Sequence, residues 1–267
     1  MLPLPPALAV LAYLAAALVG LGAGVGVNVL ADQVEGDEEP PWRSGDCVVC
    51  RKPLPARRLV PLVGVLALGR RCPACGAALG WRRPLVDGAL ALVVPLLLAH
   101  AYMPSAPGAA THLAPALIFA LDTSAAAVLA LIFVVDLEHH LVLDLTVYPL
   151  AVVFIGAALL LDRKALAAMG LAAVISGGLF LLFFAAGYLI YHQEALGFGD
   201  VKLAALIGLV VGWPGVLGAL GVCAAVGAAS TMILLGLGWV NAKSFIPFGT
   251  FLSVGAVVAL LLAPPLW

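Results

Sequence analysis

The stretch from Leu8 to Leu30 carries no charged side chain and is long enough to cross a bilayer, which takes about 20 apolar residues as a helix. Further apolar runs follow near 85–103, 112–135, 146–161, 166–191, 201–212, 216–238 and 245–263, with 201–212 short and glycine-rich. Together they predict an all-α polytopic membrane protein of about eight transmembrane helices. Composition agrees: 64% of residues are hydrophobic and 10% charged, where a soluble domain carries about a quarter charged. The net charge of −1 gives no ground for a nucleic-acid partner. The first run has no basic segment before it and ends in a poor cleavage site, so it is expected as a retained helix. Its "GLGAGVGVNV" fits close helix packing through small residues better than a nucleotide loop. Trp213-Pro214-Gly215 predicts a tight turn between two spans.

Charge placement orients the chain. Arg43, Arg51, Lys52, Arg57, Arg58, Arg70, Arg71, Arg82 and Arg83 all fall between the first two spans, and basic loops stay in the cytoplasm. Threading from that anchor puts the 136–145, 192–200 and 239–244 loops inside as well. Lys202 and Lys243 agree, whereas Arg163 and Lys164 fall in a short outer turn.

The basic loop contains Cys47-x2-Cys50 and, after a 21-residue insert, Cys72-x2-Cys75. Two such knuckles can offer four thiolates tetrahedrally to one Zn²⁺, and Cys-Pro-x-Cys-Gly suits the tight turn each requires. A pair of disulfides is the alternative, against which a reducing cytoplasmic location argues. A four-cysteine zinc site has no open position for substrate, so its role is structural. The half-apolar insert from Leu59 to Leu68 is expected to lie at the membrane interface, its arginines on anionic lipid. Cys223, alone in a span, reads as a small buried hydrophobe.

Two carboxylates stand at span boundaries on the same side. Asp200, in "LGFGDVKLAALIG", has a simple reading as an N-cap: Gly197 and Gly199 loosen the loop and Asp200 starts the helix. Asp144, before "LTVYPL", reads the same way. Asp136, closing "ALIFVVD", is harder to explain, because a helix C-terminus disfavours a carboxylate. Two aspartates at a shared site can hydrolyse an amide, one ionised to activate water and one protonated to donate to the carbonyl. Intramembrane carboxylates also serve proton relays and ion-coupled transporters, and the spacing alone leaves that alternative open.

The motifs "CVVC…CPACG", "WRRPLVD", "VVDLEHHLVLDLTVYPL", "GFGDVKLAALIG" and "FIPFGTFLSVGA", in this order, resemble the bacterial type IV prepilin peptidases over nearly the whole chain. Those are polytopic inner-membrane aspartic proteases of the GxGD type. They remove the leader of type IV prepilins and pseudopilins at the cytoplasmic face, and many then N-methylate the new N-terminus with S-adenosylmethionine. The resemblance implies catalytic roles for Asp136 and Asp200, an active-site turn at Gly197 and Gly199, and a family cysteine loop at Cys47, Cys50, Cys72 and Cys75. It further implies three regions: a first transmembrane helix at 1–31, a cytoplasmic zinc loop associated with methyl transfer at 32–83, and a membrane peptidase domain at 84–267.

The chain departs from the family's usual wording at Val142-Leu143-Asp144 for Ile-Pro-Asp, at Arg58 and Pro61–Val65 in the cysteine loop, and at Asp87 and Thr250. The helix start at Asp200 assigns it the negative charge and Asp136 the proton. Glu138, His139 and His140 read as a solvated loop, with a histidine supporting the pair as the alternative. Lys202 reads as snorkelling to the interface, or else as tuning Asp200. Pro247-Phe248-Gly249 reads as a substrate groove or a plain helix-entry kink.

Overall fold

The computed structural model describes residues 5–34, 47, 50, 52, 71–77, 81–102, 115–161, 163–191, 196–238 and 247–264. The Leu59–Leu68 insert, Arg58, Pro61–Val65 and Lys243 lie outside these residues. Among the described residues there are eight helices: α1 (Pro6–Ala31), α2 (Arg82–His100), α3 (Pro115–His139), α4 (Asp144–Leu161), α5 (Arg163–Tyr191), α6 (Phe198–Val211), α7 (Gly215–Gly236) and α8 (Phe248–Leu262). Each apolar run of the sequence has its helix. Five of them, α1, α2, α3, α5 and α7, are long and apolar enough to cross a membrane, while α4, α6 and α8 are shorter. The chain divides into two compact units, Met1–Ala99 and His100–Trp267.

In the first unit, α1 lies on α2 through its small residues, as the glycine-rich sequence predicts. Gly20 sits directly on the backbone at Leu90 and Gly24 on that at Asp87, leaving no room for a Cβ. One turn on, Asn28 donates to Asp87 Oδ1 at 3.0 Å, and Asp32 takes ion pairs from both Arg82 and Arg83. Buried polar groups of this kind need such partners, and here they tie the two helices together.

The second unit is built around α6. Nine of its 14 residues are buried, including Leu203, Leu206 and Ile207, which marks a helix surrounded by protein rather than lipid. The long α5 runs beside it, and Ser176 of α5 donates toward the carbonyls of both Ala172 and Ala204, the latter on α6. The turn at Trp213-Pro214-Gly215 falls between α6 and α7 as expected, with the Trp213 amide bound to Ala168 O at 3.2 Å. Leu129 and Ile132 of α3, Phe154 of α4 and Leu252 of α8 complete the core. On the outer faces, large apolar residues such as Leu160 and Leu182 are exposed, as a hydrocarbon surround requires.

A second carboxylate inside α3 has a partner of its own. Asp122 is buried and meets His100 Nδ1 at 3.1 Å, and His100 Nε2 meets the Ala263 carbonyl just past α8 at 2.7 Å. The imidazole thus joins α3 to the end of α8. Asp122→Ala strands that buried nitrogen, and unfolding free energy is expected to fall by about 1–3 kcal/mol, read by thermal or denaturant unfolding in detergent.

Candidate active site

Asp136 lies inside α3, not in a loop after it: the helix continues to His139, past the expected end of the span. His140, with φ of 55°, then takes the left-handed conformation and returns its amide to Asp136 O at 2.9 Å, closing the helix sharply. The carboxylate is buried, and its justification comes from another helix. Its Oδ2 accepts from the Thr250 amide at 2.7 Å and from Thr250 Oγ1 at 3.0 Å.

These contacts make Asp136 the cap of α8. That helix begins after Pro247 and has no side-chain cap from its own N-cap residue, so its first-turn amides need an acceptor. Asp136 supplies it from across the unit, and the positive end of the α8 macrodipole offsets the unfavourable C-terminus of α3. Gly249 makes the approach possible. A Cβ there would fall 2.9 Å from the carboxyl carbon of Asp136, closer than real Cβ contacts. Pro247-Phe248-Gly249 is therefore the entry of a helix built to receive a carboxylate.

Asp200 stands elsewhere than at the N-cap its sequence suggests. The N-cap of α6 is Gly197, in an extended conformation, and Asp200 is the third helical residue, with its amide bound to Gly197 O at 3.1 Å. The side chain is buried. Gly199 is likewise within the first helical turn rather than loosening a loop; its Cα faces Val142, where a Cβ would come within 2.9 Å of the valine Cβ. That close approach brings the start of α6 against the α3–α4 connection. Asp136 and Asp200, 64 positions apart, thereby come within electrostatic reach of each other.

The neighbouring polar residues separate into two groups. His140 lies close enough to Asp136 to act on its charge, and Cys223, buried on α7 as expected, is close enough to Asp200 to feel it. Lys202 turns away from the pair. Its Nζ binds both oxygens of Asp144 at 2.7 and 3.0 Å and lies 5.4 Å from the centre of the Phe198 ring. Asp144 is the first residue of α4 and serves this ion pair; the first-turn hydroxyl contact there belongs to Thr146, which donates to Leu143 O. Exposed pairs of this kind contribute little. Asp144→Asn is expected to leave both thermal stability and catalytic rate near wild type, checked by melting and turnover on the same sample.

Sequence reasoning missed Thr250 as a partner of Asp136 and Asp122 as a partner of His100. A carboxylate at position 122, inside a long apolar run, was itself the signal for the second. For Thr250 the only local signal is a hydroxyl residue in the first turn of a helix that lacks a capping residue.

In the first unit the four predicted ligands converge. Cys47 Sγ lies 3.5 Å from Cys75 Sγ, Cys50 Sγ lies 3.8 Å from Cys72 Sγ, and all four sulfurs are within 4.8 Å of one another. No disulfide joins any of the four, which favours the metal-ligand reading over the disulfide one. The two knuckles have matching backbones: the Cys47 amide donates to Lys52 O at 2.9 Å and the Cys72 amide to Ala77 O at 2.8 Å. Gly76 turns the second one with φ of 75°. A regular tetrahedron of sulfurs 2.3 Å from a central ion has edges of about 3.8 Å, so this group can hold a metal ion.

An all-α polytopic membrane protein with two buried aspartates within electrostatic reach of each other near the ends of different helices, and a four-cysteine cluster, is the class that fold and site define. Residues 123–265 match the model of the type IV leader peptidase family, and residues 18–101 that of the bacterial peptidase A24 N-terminal domain. The chain belongs to the type IV leader peptidase family. It is 31% identical over 219 residues to a prepilin leader peptidase/N-methyltransferase of Pseudomonas aeruginosa, covering 76% of this chain and 66% of that protein. A protein of the same description from Aeromonas hydrophila is 32% identical over 236 residues, covering 85% of this chain and 76% of its own length. No solved structure matches the chain significantly.

Proposed function

We propose that this protein is an aspartic endopeptidase of the bacterial inner membrane that removes the leader of type IV prepilins or pseudopilins at the cytoplasmic face. The catalytic pair is Asp136 and Asp200. The observation that supports this reading is that these two buried carboxylates, one near the end of α3 and one in the first turn of α6, lie within electrostatic reach of each other. Two close like charges do not both ionise, so the pair shares a proton and holds both an acid and a base. One aspartate takes a proton from water as its oxygen attacks the scissile carbonyl; the other donates to the carbonyl oxygen. Collapse of the tetrahedral intermediate then breaks the C–N bond, the first aspartate returning a proton to the leaving nitrogen while the second takes one back from a hydroxyl of the intermediate, which restores both groups.

The relatives' names support a second activity, N-methylation of the new N-terminus, for which S-adenosylmethionine is the methyl donor. The four cysteines hold a structural Zn²⁺, as their chemistry and spacing favour. Purified full-length protein mixed with a prepilin-like peptide and S-adenosylmethionine tests the reading by mass spectrometry. A product lacking its leader and gaining a methyl group is expected. An uncut peptide accompanied by ion flux in proteoliposomes would instead make the aspartates an ion site.

A further inference from the structure

The two aspartates are not equivalent in their surroundings. Each stands at a helix N-terminus, Asp200 at that of its own α6 and Asp136 at that of α8, so helix dipoles discriminate weakly between them. Asp200's carboxyl has the Gly197 amide as its backbone donor. Asp136 has the Thr250 amide at 2.7 Å and the Thr250 hydroxyl at 3.0 Å on one oxygen, with the Gly249 amide beside them. Donors of this kind favour an ionised carboxylate, and a charge-assisted hydrogen bond is worth several times a typical dipole contribution.

We infer that Thr250 is a positioning residue that fixes Asp136 as the carboxylate of the pair and leaves the proton on Asp200. This rests on the dyad reading above and deepens it. Asp136 is then the base that takes a proton from water, and Asp200 the acid that donates to the carbonyl oxygen, the reverse of the assignment drawn from the sequence. The structural logic is economical: the two contacts that cap α8 also set the charge of the catalytic base. Thr250 is buried, so water does not replace its hydroxyl if it is removed. Among the described residues, the other titratable groups within electrostatic reach are His140, beside Asp136, and Cys223, beside Asp200. Neither supplies a hydroxyl or amide donor aimed at one oxygen as Thr250 does.

Infrared difference spectroscopy on the detergent-solubilised full chain tests this directly, because ionised and protonated carboxyl groups absorb at different frequencies. Near neutral pH, subtracting the Asp136→Asn spectrum from wild type is expected to leave an ionised-carboxylate band, and subtracting Asp200→Asn a protonated-carboxyl band. The opposite pattern overturns the inference. Thr250→Val, which keeps the amide and volume but deletes the hydroxyl, is expected to lower kcat about tenfold with KM unchanged, the size of one lost charge-assisted bond. Thr250→Ser should restore kcat to within about twofold. If Thr250→Val does not fold, Thr250→Ala carries the same comparison. Wild-type kcat in a folded hydroxyl-free variant, or an unchanged ionised band, overturns the role of Thr250. The spectra report the charges whether or not a peptide is cleaved, so a failed peptidase assay and a failed charge assignment remain distinct results.

Discussion

Asp136→Asn and Asp200→Asn are each expected to lower leader cleavage by about four orders of magnitude while leaving a folded, membrane-inserted protein. The amide keeps the size of the carboxyl and an oxygen that can still accept from Thr250, so α8 retains its cap in Asp136→Asn. What is lost is proton exchange. An amide at position 136 cannot take a proton from water, and one at position 200 cannot deliver a carboxyl proton to the substrate. Because the two act as a unit, the double substitution should be hardly slower than either single one. Asp144→Asn is the internal control, since Asp144 answers Lys202 and not the pair. The measurement is turnover of a detergent-solubilised prepilin at matched amounts of folded protein. Robust cleavage by either single variant refutes the mechanism; inactive Asp144→Asn beside active Asp136→Asn moves the dyad within the same peptidase.

The helices were legible because most apolar runs are long and end in turn-forming or charged residues, and hydropathy is a sum over many positions. Asp136 and Asp200 were legible as anomalies, carboxylates where apolar spans end. Their local settings were not. Asp200 reads as an N-cap from Gly197-Phe198-Gly199-Asp200, yet the helix starts three residues earlier, because Gly197 already supplies the extended residue a helix entry needs. Gly199 reads as flexibility and serves as close packing against Val142. The unfavourable position of Asp136 made sense only with Thr250 in view, 114 positions away. No local pattern encodes which helix start will need an acceptor from a distant chain segment. The partner of Lys202 was illegible for the same reason: it is set by the packing of α4 on α6, not by neighbours in sequence.

Removing the metal is expected to have the second largest effect, and to act on the first unit. The four cysteines sit at a separation suited to a tetrahedral ion, and Cys47 and Cys72 are buried. Without an ion, the weak contacts among the sulfurs and the knuckle hydrogen bonds at Cys47 and Cys72 do not suffice to order so short a segment. Structural zinc binding in small finger peptides contributes about 10–16 kcal/mol, far more than those bonds. One Zn²⁺ per chain is therefore expected in protein purified without chelator. Cys72→Ser should reduce that to a small fraction and expose the segment to limited proteolysis. Asp136 and Asp200, the proposed catalytic pair, belong to the second unit, so the metal-free protein should retain most of its peptide cleavage per folded molecule. Elemental analysis, thiol titration in the folded state and a cleavage assay on one preparation decide the matter. No bound zinc together with four freely titrating thiols refutes the metal site, and loss of cleavage equal to that of Asp200→Asn refutes the separation of structural and catalytic roles.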